Sequence, residues 1–228
     1  MDIEFSRFLL AFICGHFLTV SGSLTQVVTN NKLASPSTLG FDGAAVLAIL
    51  IGQFLLDMLN VAFPANYFSL SITLFVGIIW SIKQRKSKVK SIWAEFGAER
   101  IVLVGLAFNL FVGAIFSIIQ FLYMSMNYNF PSSIWFGSFR QYDQNSVYLF
   151  VIIFLLAFYF LKKIVYDLEV MNIGEIFARG IGLDTSKLRS NSLICSFILT
   201  SLVITHFGVF SFLGLVFPHI LRSFKLFK

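Results

Sequence analysis

Charged residues are scarce in this chain. Asp, Glu, Lys and Arg make up 12% of its 228 residues, whereas hydrophobic residues account for 57% and the mean hydropathy is +0.85. Soluble domains carry about twice that share of charge, so the composition excludes an ordinary water-soluble protein. Runs of about 18 or more apolar residues are typical of membrane-spanning helices. The composition therefore indicates a polytopic membrane protein.

Cysteine and histidine are also rare. Cys14 and Cys195 lie inside apolar segments, which argues against a disulfide framework and favours thiols packed as small apolar groups. His16, His206 and His219 are isolated and have no Cys or carboxylate partner at ligand spacing, so we expect no metal site and no cofactor. The net charge of +6 comes from basic residues scattered through short loops, a pattern that does not favour nucleic-acid binding.

Two catalytic motifs are missing from the sequence. It has no Gly-x-x-x-x-Gly-Lys-Ser/Thr phosphate loop, so ATP binding of that type is excluded. It also has no Gly-x-Ser-x-Gly motif, which disfavours an intramembrane serine hydrolase. We therefore assign no catalytic residue and expect a protein that is not an enzyme.

Apolar runs alternate with polar breaks along the chain. They predict an all-α polytopic membrane protein with about seven transmembrane helices in one domain over residues 1–228. The predicted spans are 5–28, 41–58, 67–82, 100–126, 147–161, 188–207 and a short one at 209–221.

Basic residues predict the orientation of these spans. Five lie in 83–90, four in the loop 162–187 and three in the tail 222–228, which favours the cytoplasmic side for all three segments. The breaks 59–66 and 127–146 hold one basic residue between them and are predicted outside. With Lys32 inside, the amino terminus is predicted outside.

Four ordered blocks of residues show a family pattern. The second block is the run 174–182, the third is 212–222, and a further match comprises Trp135, Gly137 and Ser138. The first block, at conserved family spacings, consists of Arg7, Gly15, Ser21, Gly22, Gln26, Asn31, Leu33, Ala34, Pro36, Leu39 and Gly40. In these blocks the chain resembles the FecCD/BtuC-type permeases, the membrane subunits of type II ABC importers for iron-siderophore, haem or cobalamin. Lys32 replaces the usual Pro of the first block.

The resemblance implies a partial version of a ten-helix permease. The blocks correspond to the second through eighth family helices, so the first and the last two have no counterpart here. The expectation is a fragment, a truncated gene product, or a piece completed by another polypeptide.

The resemblance also implies roles for particular residues. The loop 162–187 is expected to form short amphipathic helices that couple to an ATPase subunit, with a helix resting on lipid as the alternative. Gly180 and Gly182 are expected to end a helix there, and Asp184 to cap the next. Arg7 and Arg140 are the docking candidates for an extracytoplasmic substrate-binding protein, with interface anchoring as the alternative. The coupling residues are Gly174, Glu175, Ala178, Arg179 and Gly182; the packing residues are Gly15, Ser21, Gly22, Gln26, Asn31, Leu33, Ala34, Pro36, Gly40, Gly214, Pro218 and His219.

The function implied is that of a multi-pass permease subunit in the bacterial inner membrane. Its expected partners are ATP-binding cassette ATPase subunits, a second permease subunit and a substrate-binding protein. Ferric siderophore is the expected cargo, with haem and cobalamin as alternatives. A non-transporting remnant and an ion-coupled carrier or channel remain the competing hypotheses.

Overall fold

The structure, a computed structural model, describes residues 3–59, 71, 98–126, 134, 136–139, 144–210 and 212–224. Regular structure within these ranges is helical throughout, without a β-strand. The helices are α1 (Ile3–Val28), α2 (Phe41–Met58), α3 (Ala98–Ser125), α4 (Gln144–Ile173), α5 (Glu175–Gly180), α6 (Thr185–Phe207) and α7 (Leu213–Ser223). The all-α fold class is confirmed.

Five of the described helices are long and apolar enough to cross a membrane, namely α1, α2, α3, α4 and α6. The bounds of α2 coincide with the predicted span 41–58. The predicted span 67–82 lies outside the described residues. Helix α7 has 11 residues, or about 16 Å at 1.5 Å per residue. It is therefore shorter than the predicted 209–221 and cannot cross a bilayer core of about 30 Å.

Helix α4 differs most from its prediction. The predicted span ends at residue 161, but the helix continues without a break to Ile173, 30 residues in all. Lys162 and Lys163 end the apolar stretch, yet no glycine or proline follows until Gly174. Charge marks the membrane surface, whereas a helix ends where its backbone is interrupted. The first half of the predicted coupling loop is thus an extension of a membrane helix.

Helix α1 occupies the centre of the helical packing. It contacts α4, α6 and α7, while α2 packs against α3 and α6. Aromatic rings fill the α1–α4–α6 core: Phe150 lies 6.2 Å from Phe17 and 5.1 Å from Phe207, measured between ring centroids. Cys14 is buried and Cys195 half-buried, and both thiols are free.

Hydroxyl groups join α1 to α6. Ser21 Oγ lies 2.9 Å from Ser196 O, 2.6 Å from Ser196 Oγ and 2.6 Å from Thr200 Oγ1. Ser196 Oγ in turn donates to Ser21 O at 3.0 Å. All three residues are completely buried. Such bonds between membrane helices contribute about 0.6 kcal/mol each on average, so the network stabilises this pairing in a region without water.

Candidate functional site

The segment after α4 is a short helix bounded by two glycines. Gly174 separates α4 from α5, and the first α5 hydrogen bond runs from Ala178 N–H to Gly174 O at 2.9 Å. At the other end Gly182 has φ +89°, a left-handed conformation that favours glycine. Its N–H donates to Arg179 O, and Leu183 N–H donates to Ala178 O, both at 3.0 Å. This pair of bonds is a Schellman motif, and it turns the chain from α5 into α6.

Asp184 starts the next membrane helix. Its side chain accepts a hydrogen bond from Lys187 N–H at 3.0 Å, the geometry of an N-cap. That N–H holds the pKa of the Asp184 carboxyl below its ordinary value because it stabilises the charged form. The predicted cap is therefore confirmed, and it fixes where α6 begins relative to α5.

Two contacts attach α5 to its neighbours. Ala178 is completely buried, so the helix rests on a side chain small enough for close approach. Arg179 Nε donates to Thr185 Oγ1 in the first turn of α6 at 3.1 Å. These contacts and the Schellman turn hold a six-residue helix that could not form by itself.

The outward side of this region is apolar. Ile176 is 90% exposed, Ile173 75%, Ile181 58% and Phe177 54%. These four residues are called the α5 patch below. Helix α4 continues past the end of its apolar span at Lys162, so the patch lies beyond the part of α4 that is apolar enough to cross a membrane. Exposed apolar groups gathered in water-accessible regions indicate contact surfaces.

The other predicted motif residues meet at a helix crossing. A Cβ on Gly22 of α1 would lie 1.7 Å from Gly214 O of α7, and a Cβ on Gly214 would lie 3.0 Å from Pro36 Cδ. Pro218 has no N–H and cannot donate to the Gly214 carbonyl one turn earlier. That carbonyl is directed at Gly22, where weak Cα–H···O contacts are typical of close helix pairs. Three predicted packing residues that are distant in sequence, Gly22, Pro36 and Gly214, thus meet at this crossing.

A hydrogen bond closes the same crossing near the ends of both helices. Arg222 Nη2 donates to Gln26 Oε1 at 2.6 Å, and Gln26 is 3% exposed. Beyond it, Asn31 N–H donates to Gln26 O, and Asn31 Oδ1 accepts from Leu33 N–H at 2.9 Å. Gln26 therefore bonds a neighbouring helix.

The connection between α1 and α2, residues 29–40, is called the elbow below, and it also packs against α3. A Cβ on Gly105 would lie 2.4 Å from Thr38 O, and a Cβ on Gly40 2.6 Å from Phe108 Cδ1. Asn109 Nδ2 donates to Ser37 O at 2.7 Å. Gly40 was predicted from the sequence as a packing residue, whereas the α3 residues were not. The sequence signal that could have found them is Asn109, a single asparagine in an apolar run of α3.

The remaining predicted residues have varied positions. Ala34 is buried, whereas Leu33 and His219 are exposed. Apart from its own helix, no described atom lies within 4 Å of a Cβ built on Gly15, so its assignment as a packing residue stays a prediction. Arg7 is exposed near the start of α1. Arg140, Trp135 and the Glu175 side chain lie outside the described residues.

Five long apolar helices and the glycine crossing between α1 and α7 define a polytopic membrane protein. The sequence model of the FecCD transport family matches residues 1–225. The chain therefore belongs to the FecCD transport family. Membership makes it a multi-pass protein of the cytoplasmic membrane, and it places the chain among transport proteins, not enzymes.

Several named proteins are similar to it. The "Vitamin B12 import system permease protein BtuC" of Vibrio vulnificus is 29% identical over 97% of this chain and 65% of its own length. The "Uncharacterized ABC transporter permease protein YvrB" of Bacillus subtilis is 30% identical over 97% of this chain and 62% of its own. The "Probable heme-iron transport system permease protein IsdF" of Staphylococcus aureus is 25% identical over 98% and 64%. The chain thus spans less than two thirds of the length of these relatives.

The fold also matches a solved structure. A chain described as an inward-facing conformation of a metal-chelate type ABC transporter aligns with a TM-score of 0.75 at 19% identity. The alignment covers 98% of this chain and 69% of that one. This similarity shows that the described helices have the arrangement of an ABC permease fold.

Proposed function

We propose that this chain is a membrane permease subunit of an ATP-driven importer and that the α5 patch is its ATPase-docking surface. The observation that carries the proposal is the exposure of Ile176 and Phe177 on a helix held rigidly beyond the membrane. An apolar patch with a fixed backbone can transmit a displacement from a soluble partner to α4 and α6. The names of the relatives, which include B12 and heme-iron import permeases, support this reading.

The energy for transport comes from separate ATP-binding cassette subunits, because this sequence has no phosphate loop. Four of the five predicted coupling residues support the backbone of α5 or attach it to α6. Gly174, Ala178 and Gly182 shape the backbone of α5, and Arg179 fastens it to α6. Glu175 opens the helix. The contact with the ATPase is made by the exposed apolar side chains of the α5 patch, which are not among the coupling residues predicted from the sequence.

The cargo we propose is a ferric siderophore, delivered by an extracytoplasmic binding protein to a permease pair. Support comes from the family motifs and from the structural match to a metal-chelate type transporter. Arg7 provides an exposed positive charge near the start of α1 for a docking contact with carboxylates of the binding protein. Arg140 is the second docking candidate by location. Haem and cobalamin are the alternative cargoes, which binding of labelled chelates to the assembled importer would distinguish.

The test is co-purification of the ATPase with variants of the α5 patch. Ile176→Asp places a charge in the centre of the patch and is expected to reduce ATPase recovery at least tenfold, with unchanged membrane insertion. Ile176→Leu keeps the apolar surface and serves as the matched control. Full recovery of the ATPase with Ile176→Asp would overturn the docking assignment. A stably inserted native chain that recovers no ATPase would favour the non-transporting remnant.

A further inference from the structure

A cavity of about 240 Å³ lies between α2 and α3, bounded at one end by the elbow. Its polar lining residues are Ser37, Asp42 and Asn109. The rest of its described wall is apolar and consists chiefly of Val46, Leu47, Leu50, Val112, Phe116 and Val209. The cavity therefore has the character of an amphipathic binding site, polar at one end and apolar along its length.

Hydrogen bonds at the polar end leave oxygen acceptors open. Ser37 Oγ donates to Asp42 Oδ2 at 2.5 Å, which uses the single hydroxyl proton of Ser37. Asn109 Nδ2 is turned toward Ser37 O, and its amide oxygen lies 2.9 Å from a Cβ built on Gly43, the neighbour of Asp42. Within the described ranges no donor reaches Asp42 Oδ1 or Asn109 Oδ1. The site presents acceptors and therefore suits a donor.

The charge of the cavity points to a cationic donor. Asp42 is the one ionisable group among its described lining residues. A carboxylate withdrawn from bulk water is normally paired with a cation or with strong donors. Within the described residues, Ser37 supplies a single neutral donor to Asp42.

The size of the cavity selects the kind of cation. A closed apolar cavity of about 150 Å³ holds benzene, so this one has room for a similar group with a short arm. A bare metal ion would leave most of the apolar wall without contact. We propose that the cavity binds a primary ammonium group on an apolar body. The ammonium donates to Asp42 Oδ1 and Asn109 Oδ1, and the body lies between Leu50 and Phe116. The inference does not depend on the proposed transport function.

The test uses 2-phenylethylamine as the probe and the full chain in phosphatidylcholine nanodiscs at pH 7. We expect the amine to raise Tm saturably at a concentration at least tenfold lower than 2-phenylethanol, its neutral analogue. The trimethylated quaternary amine has no N–H and should bind at least tenfold more weakly than the primary amine. Equal responses to amine and alcohol would overturn the proposal, and these comparisons need no variant.

Two variants locate the effect. Asp42→Asn is expected to abolish the preference for the amine over the alcohol. Asp57→Asn is the matched control on the same helix, because both Asp57 oxygens are already engaged, by Gln53 at 2.8 Å and Tyr123 at 3.2 Å. A preference that survives in folded Asp42→Asn would also overturn the proposal.

The ammonium could be carried by a free amine or by the phosphatidylethanolamine headgroup of the membrane. Mass spectrometry of lipid retained from mixed nanodiscs distinguishes these sources. Enrichment of phosphatidylethanolamine over phosphatidylcholine on the native chain, lost in Asp42→Asn, assigns the lipid. Equal retention with intact amine binding assigns a free amine.

Discussion

Replacement of Gly22 by alanine tests whether the α1–α7 crossing is a backbone-to-backbone contact. The new methyl group would lie 1.7 Å from Gly214 O, 2.7 Å from its carbonyl carbon and 3.1 Å from its Cα. None of these atoms belongs to a side chain, so no rotamer change can relieve the overlap. One helix must move by about 1.3 Å before the oxygen reaches even 3.0 Å, in an interior packed as densely as a crystal.

The expected cost follows from that displacement. Overpacking of a protein interior costs about 1–3 kcal/mol when flexible side chains can adjust. Here the obstacle is rigid, and separation of the helices also strains the bond from Arg222 to Gln26 Oε1. We therefore expect Gly22→Ala to lower the free energy of unfolding by about 3 kcal/mol or more.

The same helix contains a matched control. Gly15 has no described atom within 4 Å of its Cβ position, so Gly15→Ala should change stability by less than about 1 kcal/mol. Thermal and denaturant unfolding of both variants in one detergent, followed by circular dichroism, measures the difference. Equal stability of Gly22→Ala and Gly15→Ala would refute the close crossing.

Three further outcomes are expected. Arg222→Met should cost about 1–3 kcal/mol because it leaves the buried Gln26 oxygen unpaired, and the double variant with Gln26→Leu should recover part of that loss in unfolding experiments. Asp184→Ala should cost about 1 kcal/mol at neutral pH. Since the pKa of Asp184 is lowered in the folded state, the loss should shrink as pH falls below the ordinary value of about 4; a pH-independent loss in unfolding experiments would exclude this origin. Glu175→Lys should abolish ATPase co-purification while membrane insertion, measured by fractionation, stays intact; unchanged association would remove Glu175 from the coupling set.

Sequence alone predicted the helices where composition and backbone signals coincide. Helix α2 has its predicted bounds because Gly40 precedes a mostly apolar run, and Asn60 and Pro64 follow it in the sequence. The predicted end of α4 is twelve residues early, because Lys162 and Lys163 mark the end of the apolar span but do not interrupt the helical backbone. Hydropathy reports the membrane boundary, and the helix boundary is a separate property.

The site was predicted as separate motifs, and their meeting in space was not. Gly22 and Gly214 were each identified as packing residues, but their mutual contact depends on the α1–α7 crossing, which no local pattern encodes. Asn109 and Gly105 were missed because their role lies in contacts with the elbow, 72 residues earlier in the case of Asn109 and Ser37. The residues of the α5 patch lie in the loop 162–187, whose mixed composition predicted amphipathic helices that contact another protein. Their individual exposure depends on how α5 packs against α4 and α6, which the sequence does not encode locally.

The two main contacts of α1 differ in stiffness. Toward α6, Ser21 has one hydroxyl proton and three oxygens within 2.9 Å, so a small slide can exchange one hydrogen bond for another with little change in energy. Toward α7, the Gly214 carbonyl meets the backbone of Gly22, and any approach is opposed by a steep repulsion. A small displacement of α6 along α1 would therefore meet less resistance than a displacement of α7 toward α1.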